Sequence, residues 1–218
     1  MNQIFYLVGT ATKETLAMVF FSTACSLVLG FPLGVLLCVT DSVSGISPKP
    51  VANQILSRIV NVLRSFPFII LMILLFPLSR LIVGTSIGTK AAIVPLSIAA
   101  APFVARIIET SLKEVDPGVI QAAKAMGSTN MQIILKVLIP ESMPSLVSGI
   151  TLTIINLIGY SAMAGAIGGG GLGDLAIRYG YQRFRTDIMV CAVIVILVLV
   201  ELIQLAGTAI SNKMMKRR

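Results

Sequence analysis

Histidine is missing from all 218 residues, and only 12% of the chain is charged. Without imidazole the commonest proton shuttle and metal ligand is unavailable. The shortage of charge excludes a soluble globule, whose surface usually carries about 25% charged residues. The three cysteines, Cys25, Cys38 and Cys191, sit in or beside apolar runs with neither metal spacing nor a pairing pattern, so they read as small packing residues. No GxxxxGK[ST] phosphate loop occurs, which excludes ATP hydrolysis by that route. Paired carboxylates and converging nucleophiles are also lacking, so no catalytic and no metal-ligating residue is assigned, and a membrane enzyme is disfavoured. The N-terminus shows no basic region and no small-residue cleavage pattern, so no cleavable signal peptide is expected.

What is present is apolar: 56% of the residues are hydrophobic, in runs long enough to cross a bilayer. About 20 helical residues span a hydrocarbon core. Five spans are expected, at about 15–40, 59–83, 91–112, 142–167 and 188–212. Residues 1–14 then form an N-terminal extracytoplasmic segment, 15–212 the transmembrane domain and 213–218 a basic cytoplasmic tail. Arg64 and Arg80 lie where long side chains snorkel, and Arg106 and Glu109 are one turn apart. The net charge of +8 comes from basic residues scattered between apolar runs, which is membrane topology rather than nucleic-acid binding. With the N-terminus outside, eleven basic residues fall on the cytoplasmic side. Six fall outside: Lys13, Arg80, Lys90, Arg178, Arg183 and Arg185.

The segment 116–140 carries the most information. Asp116 followed by Pro117 is a helix start, because Asp accepts from free N–H groups and Pro suits the first helical position. Val119, Ala122, Ala123 and Met126 recur on one expected face, and Gly127 stops the helix in a left-handed conformation. Thr129 and Gln132 have capping-box spacing for a second short helix, which Pro140 is expected to close. Two short helices would lie along the cytoplasmic surface. A DNA-binding helix-turn-helix is excluded by the membrane spans at both ends and by nearly balanced charge. An interfacial amphipathic hairpin and a docking element for a soluble partner both remain.

The run Gln121-Ala122-Ala123-Lys124-Ala125-Met126-Gly127, continued by Val137-Leu138-Ile139-Pro140, resembles the EAA loop of bacterial ABC-importer permeases. That family pattern reads Glu-Ala-Ala, three residues, Gly, nine residues, Ile, any residue, Leu-Pro. Gln121, Val137 and Ile139 replace its Glu, Ile and Leu, and only Gln121 changes the chemistry. Arg64-Ser65-Phe66-Pro67-Phe68-Ile69-Ile70-Leu71, Val83-Gly84-Thr85-Ser86-Ile87-Gly88 and Gly159-Tyr160-Ser161-Ala162-Met163 look like the methionine-importer branch. The resemblance implies an all-α type I permease with five transmembrane helices, working as a homodimer in the bacterial inner membrane. It implies two copies of an ABC ATPase subunit that binds ATP and magnesium, and a periplasmic or lipoprotein substrate-binding protein. No cofactor is implied for this chain, and its remaining partner is membrane lipid. Gln121, Ala122, Ala123, Met126, Gly127 and Pro140 would couple it to the ATPase, and the solute would be an amino acid, D- or L-methionine before others.

Further features bear on transport. Gly168-Gly169-Gly170-Gly171-Leu172-Gly173 matches a dinucleotide fingerprint in spacing, but a membrane helix precedes it where a strand is required. Those glycines either unwind a helix end or let two copies approach. Gly30 and Gly34 form GxxxG, which serves ordinary helix packing or a dimer contact. Thr153, Asn156, Tyr160 and Met163 share one helical face and form either a translocation face, with Met163 a self-sealing gate, or interhelical hydrogen bonding. Glu201 is the isolated charge of the last span; pairing, snorkelling or proton coupling would each account for it. A permease for another small solute and a proton-coupled secondary transporter are the alternatives. The second would usually show internal repeats and broken helices in both halves, which are not apparent here.

Overall fold

The computed structural model describes residues 2–216, so Arg217 and Arg218 of the expected tail lie outside the described residues. Every regular element among them is helical. They are α1 (Asn2–Val39), α2 (Pro50–Ser65), α3 (Phe68–Val83), α4 (Thr89–Lys113) and α5 (Pro117–Ala125), followed by α6 (Asn130–Ile133), α7 (Ile139–Ala166), α8 (Gly171–Asp174) and α9 (Thr186–Met215). Wide i→i+5 turns at Ile134–Leu138 join α6 to α7, and α8 continues in the same geometry over Leu175–Tyr181. By length and composition four helical stretches among the described residues can cross a membrane, or five if the bent pair α2–α3 is one span.

Three boundaries differ from expectation. The span at 59–83 is two helices meeting at 101°. Pro67 has no N–H to donate and disfavours helical backbone at Phe66, so the chain breaks there. α3 alone rises about 24 Å, short of a hydrocarbon core of roughly 30 Å. At the N-terminus the helix starts at Asn2 rather than near residue 15, because nothing between them breaks it. At the other end α9 runs to Met215, so Lys213 is helical rather than part of a tail.

The chain divides into two compact units. The first comprises residues 1–26, 66–100 and 153–204. One core there gathers Met18, Met72, Leu96, Leu157 and Ile158; another gathers Leu172, Leu175, Ile188 and Ala192. Between α7 and α8 the backbone has positive φ at Gly168, Gly170 and Gly171, so these glycines unwind a helix end. The freed N–H groups are then met by α1. Gly171 donates to Glu14 Oε2 at 2.8 Å, and Leu172 to Thr15 Oγ1 at 2.9 Å. Glu14 is the anion at that helix start.

The second unit comprises residues 27–65, 101–152 and 205–218. Its main core contains Cys38, Ile46, Val104, Ile108, Leu112, Ala123, Ile133 and Leu138. Of the cysteines only Cys38 is a packing residue; Cys25 and Cys191 are exposed on apolar helices. The GxxxG pair serves packing within the chain. A Cβ on Gly30 would come within 2.6 Å of the Ala101 carbonyl, and one on Gly34 within 2.6 Å of the Ala105 carbonyl. α1 and α4 therefore touch backbone to backbone. Gly34→Leu should cost about 1–3 kcal/mol through overpacking, read as a lower unfolding temperature in detergent. Gly9→Leu, where nothing lies within 4 Å, should leave that temperature unchanged.

Candidate functional site

The segment after α4 is built from local hydrogen bonds. The Asp116 carboxylate accepts from the Gly118 N–H at 2.7 Å, with Pro117 opening α5. At the other end Gly127 adopts φ +81°, the Gly127 N–H donates to the Lys124 carbonyl at 2.9 Å, and the Ser128 N–H donates to that of Ala123 at 3.1 Å. Those two bonds satisfy carbonyls that the helix end would leave free. Thr129 and Gln132 form the reciprocal capping box: the Gln132 N–H donates to Thr129 Oγ1 at 3.3 Å, and the Thr129 N–H to Gln132 Oε1 at 2.8 Å.

Two expectations for this segment need correction. Pro140 does not close the second short helix; it lies in the first turn of α7, and the helix runs on to Ala166. A proline ring crowds the carbonyl four residues back and cannot bond it. The widened turn, in which the Ile139 N–H reaches the Ile134 carbonyl, lets the helix pass through. Nor do Val119, Ala122, Ala123 and Met126 share one face. Ala123, 4% exposed, points into the core beside Ile46 and Ile133, while Ala122, Val119 and Met126 face outward. Met126 is 79% exposed, and Met131 and Leu135 add further uncovered apolar surface. Such a patch on a capped, rigid loop is a surface for contact. Gln121 and Pro140 are exposed too.

Behind α5 lies a chain of charges. Arg106 Nη1 donates to Glu109 Oε2 at 2.6 Å, as their spacing suggested. Arg106 Nη2 reaches Asn61 Oδ1 at 2.7 Å and Ser57 Oγ at 3.0 Å on α2. Lys113 Nζ donates at 2.8 Å both to Glu109 Oε1 and to Asp41 Oδ2. Lys113 and Asp41 are 72 residues apart, and no local signal pairs them. The hydrogen bond from Lys113, then the Ser44 N–H, hold the Asp41 carboxyl well below the usual carboxylate range. A depressed carboxylate stabilises the fold above its unfolded pKa and loses that contribution only as pH falls towards the folded value. Loop 41–44 should therefore stay tied through mildly acid pH. A cavity of about 370 Å³ opens between this loop and α5, lined among others by Ser44, Lys113, Gln121 and Lys124.

The expected translocation face on α7 is only partly one face. Thr153 is 1% exposed and turned into the protein. Its neighbours on adjoining helices, which periodicity alone does not reveal, decide that. Asn156 and Met163 are uncovered, the latter 46% exposed. Tyr160 is half-buried and stacked on Phe68, with ring centroids 4.5 Å apart and planes 6° apart. Phe68, the first residue of α3, had not been singled out on its own; the Phe66-Pro67 break puts it there. An uncovered Asn in mid-span needs water or another chain, because lipid offers it nothing. Glu201 is exposed on α9 and makes no ion pair among the described residues. Only 11% of the most apolar window of α9 is buried.

Residues 27–216 match the family described as the binding-protein-dependent transport system inner membrane component, and the chain belongs to it. It is a multi-pass inner-membrane permease subunit and not an enzyme. Its relatives narrow the class. The probable D-methionine transport system permease protein MetI of Vibrio cholerae is 50% identical over 204 residues, covering 94% of this chain and 90% of that protein. The methionine import system permease protein MetP of Bacillus subtilis is 52% identical over 165 residues, 76% of this chain and 74% of that one. A solved structure of the inward-facing MetNI methionine ABC transporter superposes with a TM-score of 0.96 at 46% identity, covering 98% of this chain and 99% of that one. An amino acid ABC transporter superposes at 0.74 with 21% identity, over 100% of this chain and 97% of that one, and shows the shared fold. Within the loop, Gly127→Leu should cost about 1–3 kcal/mol as a left-handed residue with a bulky side chain. The lowered unfolding temperature of the purified protein checks this, against Ser128→Ala as control.

Proposed function

We propose that the chain is the permease subunit of an ATP-driven methionine importer, with two copies enclosing the pathway and two ABC ATPase subunits supplying energy. The observation that supports this most is half-identity, along nearly the whole chain, to proteins named as methionine permeases. ATP and magnesium belong to the partner ATPase, and a substrate-binding protein delivers the amino acid from outside. Gln121, Ala122, Val119 and Met126 on the outer side of α5 form the ATPase contact, set at its angle by Gly127. Ala123 supports that contact from beneath by letting α5 lie close on its own core.

On α7, Asn156, Tyr160 and Met163 face the pathway, and Met163 meets its copy across a two-fold axis. A flexible thioether seals such a contact well.

The test is reconstitution with the cognate ATPase and binding protein in proteoliposomes. ATP-dependent uptake of labelled L-methionine, competed by D-methionine but not by glutamate, is the expected result. Uptake of another solute in preference would overturn the methionine reading. Met163→Ala should raise hydrolysis in the absence of binding protein and speed loss of trapped methionine. A Met163→Cys pair should crosslink across the dimer. If the pair fails to crosslink in every nucleotide state while Met163→Ala transports normally, Met163 is packing.

A further inference from the structure

The charge chain behind α5 has no assigned role, and its geometry is that of a strut. Loop 41–49 is fastened on each side. Asp41 Oδ1 accepts from the N–H groups of Val43 and Ser44 and from Ser44 Oγ, while Oδ2 takes Lys113 of α4. Ser47 and Lys49 donate their N–H groups back to the Val39 and Thr40 carbonyls, and Asn53 of α2 donates to the Leu37 carbonyl and to Thr40 Oγ1. On the side facing α5, Lys124 Nζ reaches the Ile46 carbonyl at 3.3 Å, and the Ile46 side chain is buried in the core that holds Ala123 and Ile133. From α4 the charges continue through Glu109 to Arg106 and on to Ser57 and Asn61 of α2.

We propose that Asp41, Lys113 and Glu109 are positioning residues forming a rigid polar strut that carries displacement of α5, through loop 41–49, to α4 and α2. The proposal rests on the reading of α5 as the ATPase contact and adds how its movement enters the membrane helices.

Three physical points favour a strut over a mere stabiliser. Arg106, Glu109, Lys113 and Asp41 alternate in sign and sum to zero, so the row holds together without self-repulsion. Glu109, 4% exposed, binds two cations at once, so loss of either partner leaves charge uncompensated and the row behaves as a unit. Buried ion pairs add little net stability compared with apolar packing, which this region already has in its core. What charged, directional bonds add is fixed geometry.

The experiment uses the whole importer in proteoliposomes, comparing parent, Asp41→Asn, Glu109→Gln, the double variant, Asp41→Glu, and Arg185→Gln as an exposed ion-pair control. Three quantities are read: assembly with the ATPase, hydrolysis stimulated by binding protein, and methionine imported per ATP. Each single neutral variant should assemble and hydrolyse ATP while import per ATP falls at least about fivefold, the lower end of usual coupling between sites. The double variant should be no worse than the worse single one. Asp41→Glu should recover most of the loss, and the control should match the parent. Should Glu109→Gln fail to assemble, Asp41→Asn at the loop surface carries the test alone. An unchanged ratio in Asp41→Asn, or losses that simply multiply in the double variant, overturns the strut. If the parent hydrolyses ATP with its partners but imports no methionine, the ligand reading fails, and the strut is then judged on the stimulation of hydrolysis by binding protein. That stimulation should fall in Asp41→Asn and not in Arg185→Gln; equal stimulation in parent and Asp41→Asn overturns it. A parent whose hydrolysis ignores the binding protein overturns both.

Discussion

A polar group in hydrocarbon has no water to bond, so each one must find its partner in protein. The structure is organised around that constraint. Where the helix after Ala166 unwinds, the amides of Gly171 and Leu172 are met by Glu14 and Thr15 of the first helix. Where Pro140 removes a donor, the turn before it widens and the neighbouring N–H reaches one residue further. Serines on packed spans either donate back to their own helix, as Ser97 does to the Ile93 carbonyl, or bond across helices, as Ser148 does to Ser211 and Ser145 to Ser111. Two polar groups depart from this pattern: Asn156 is uncovered in mid-span, and Thr23 Oγ1 is buried without a hydrogen-bond partner among the described residues.

The same constraint leaves several contacts with little slack. α1 and α4 meet at Gly30 and Gly34 with no side chain between their backbones, a contact without slack. α5 is capped by Asp116 at one end and closed by Gly127 and Ser128 at the other, so it is a stiff object despite its nine residues.

Much of segment 116–133 was legible because its instructions are local. Asp116-Pro117, the left-handed Gly127 and the Thr129/Gln132 box each act over three or four residues, and each formed as expected. Periodicity was less reliable. It placed Ala122 and Ala123 on one face, although the core claims only Ala123. It grouped Thr153 with Asn156 and Met163, although Thr153 is buried and the other two are uncovered. A helical repeat says which residues share a side within wide limits, and the position of adjacent helices then divides that side.

The sequence by itself determined that this is a membrane protein, how many apolar stretches it has, where α5 starts and stops, and that energy must come from another chain. Those conclusions rest on composition and on short-range bonding, which need no knowledge of the fold. Tertiary structure decided the 101° break that leaves Phe68 stacked on Tyr160, and the use of GxxxG within the chain. It also decided the pairing of Asp41 with Lys113 across 72 residues and the service of Glu14 to a glycine turn 157 residues away. A charge announces that it needs a partner. Which partner it meets depends on where distant segments are brought in space, and packing of the helices settles that.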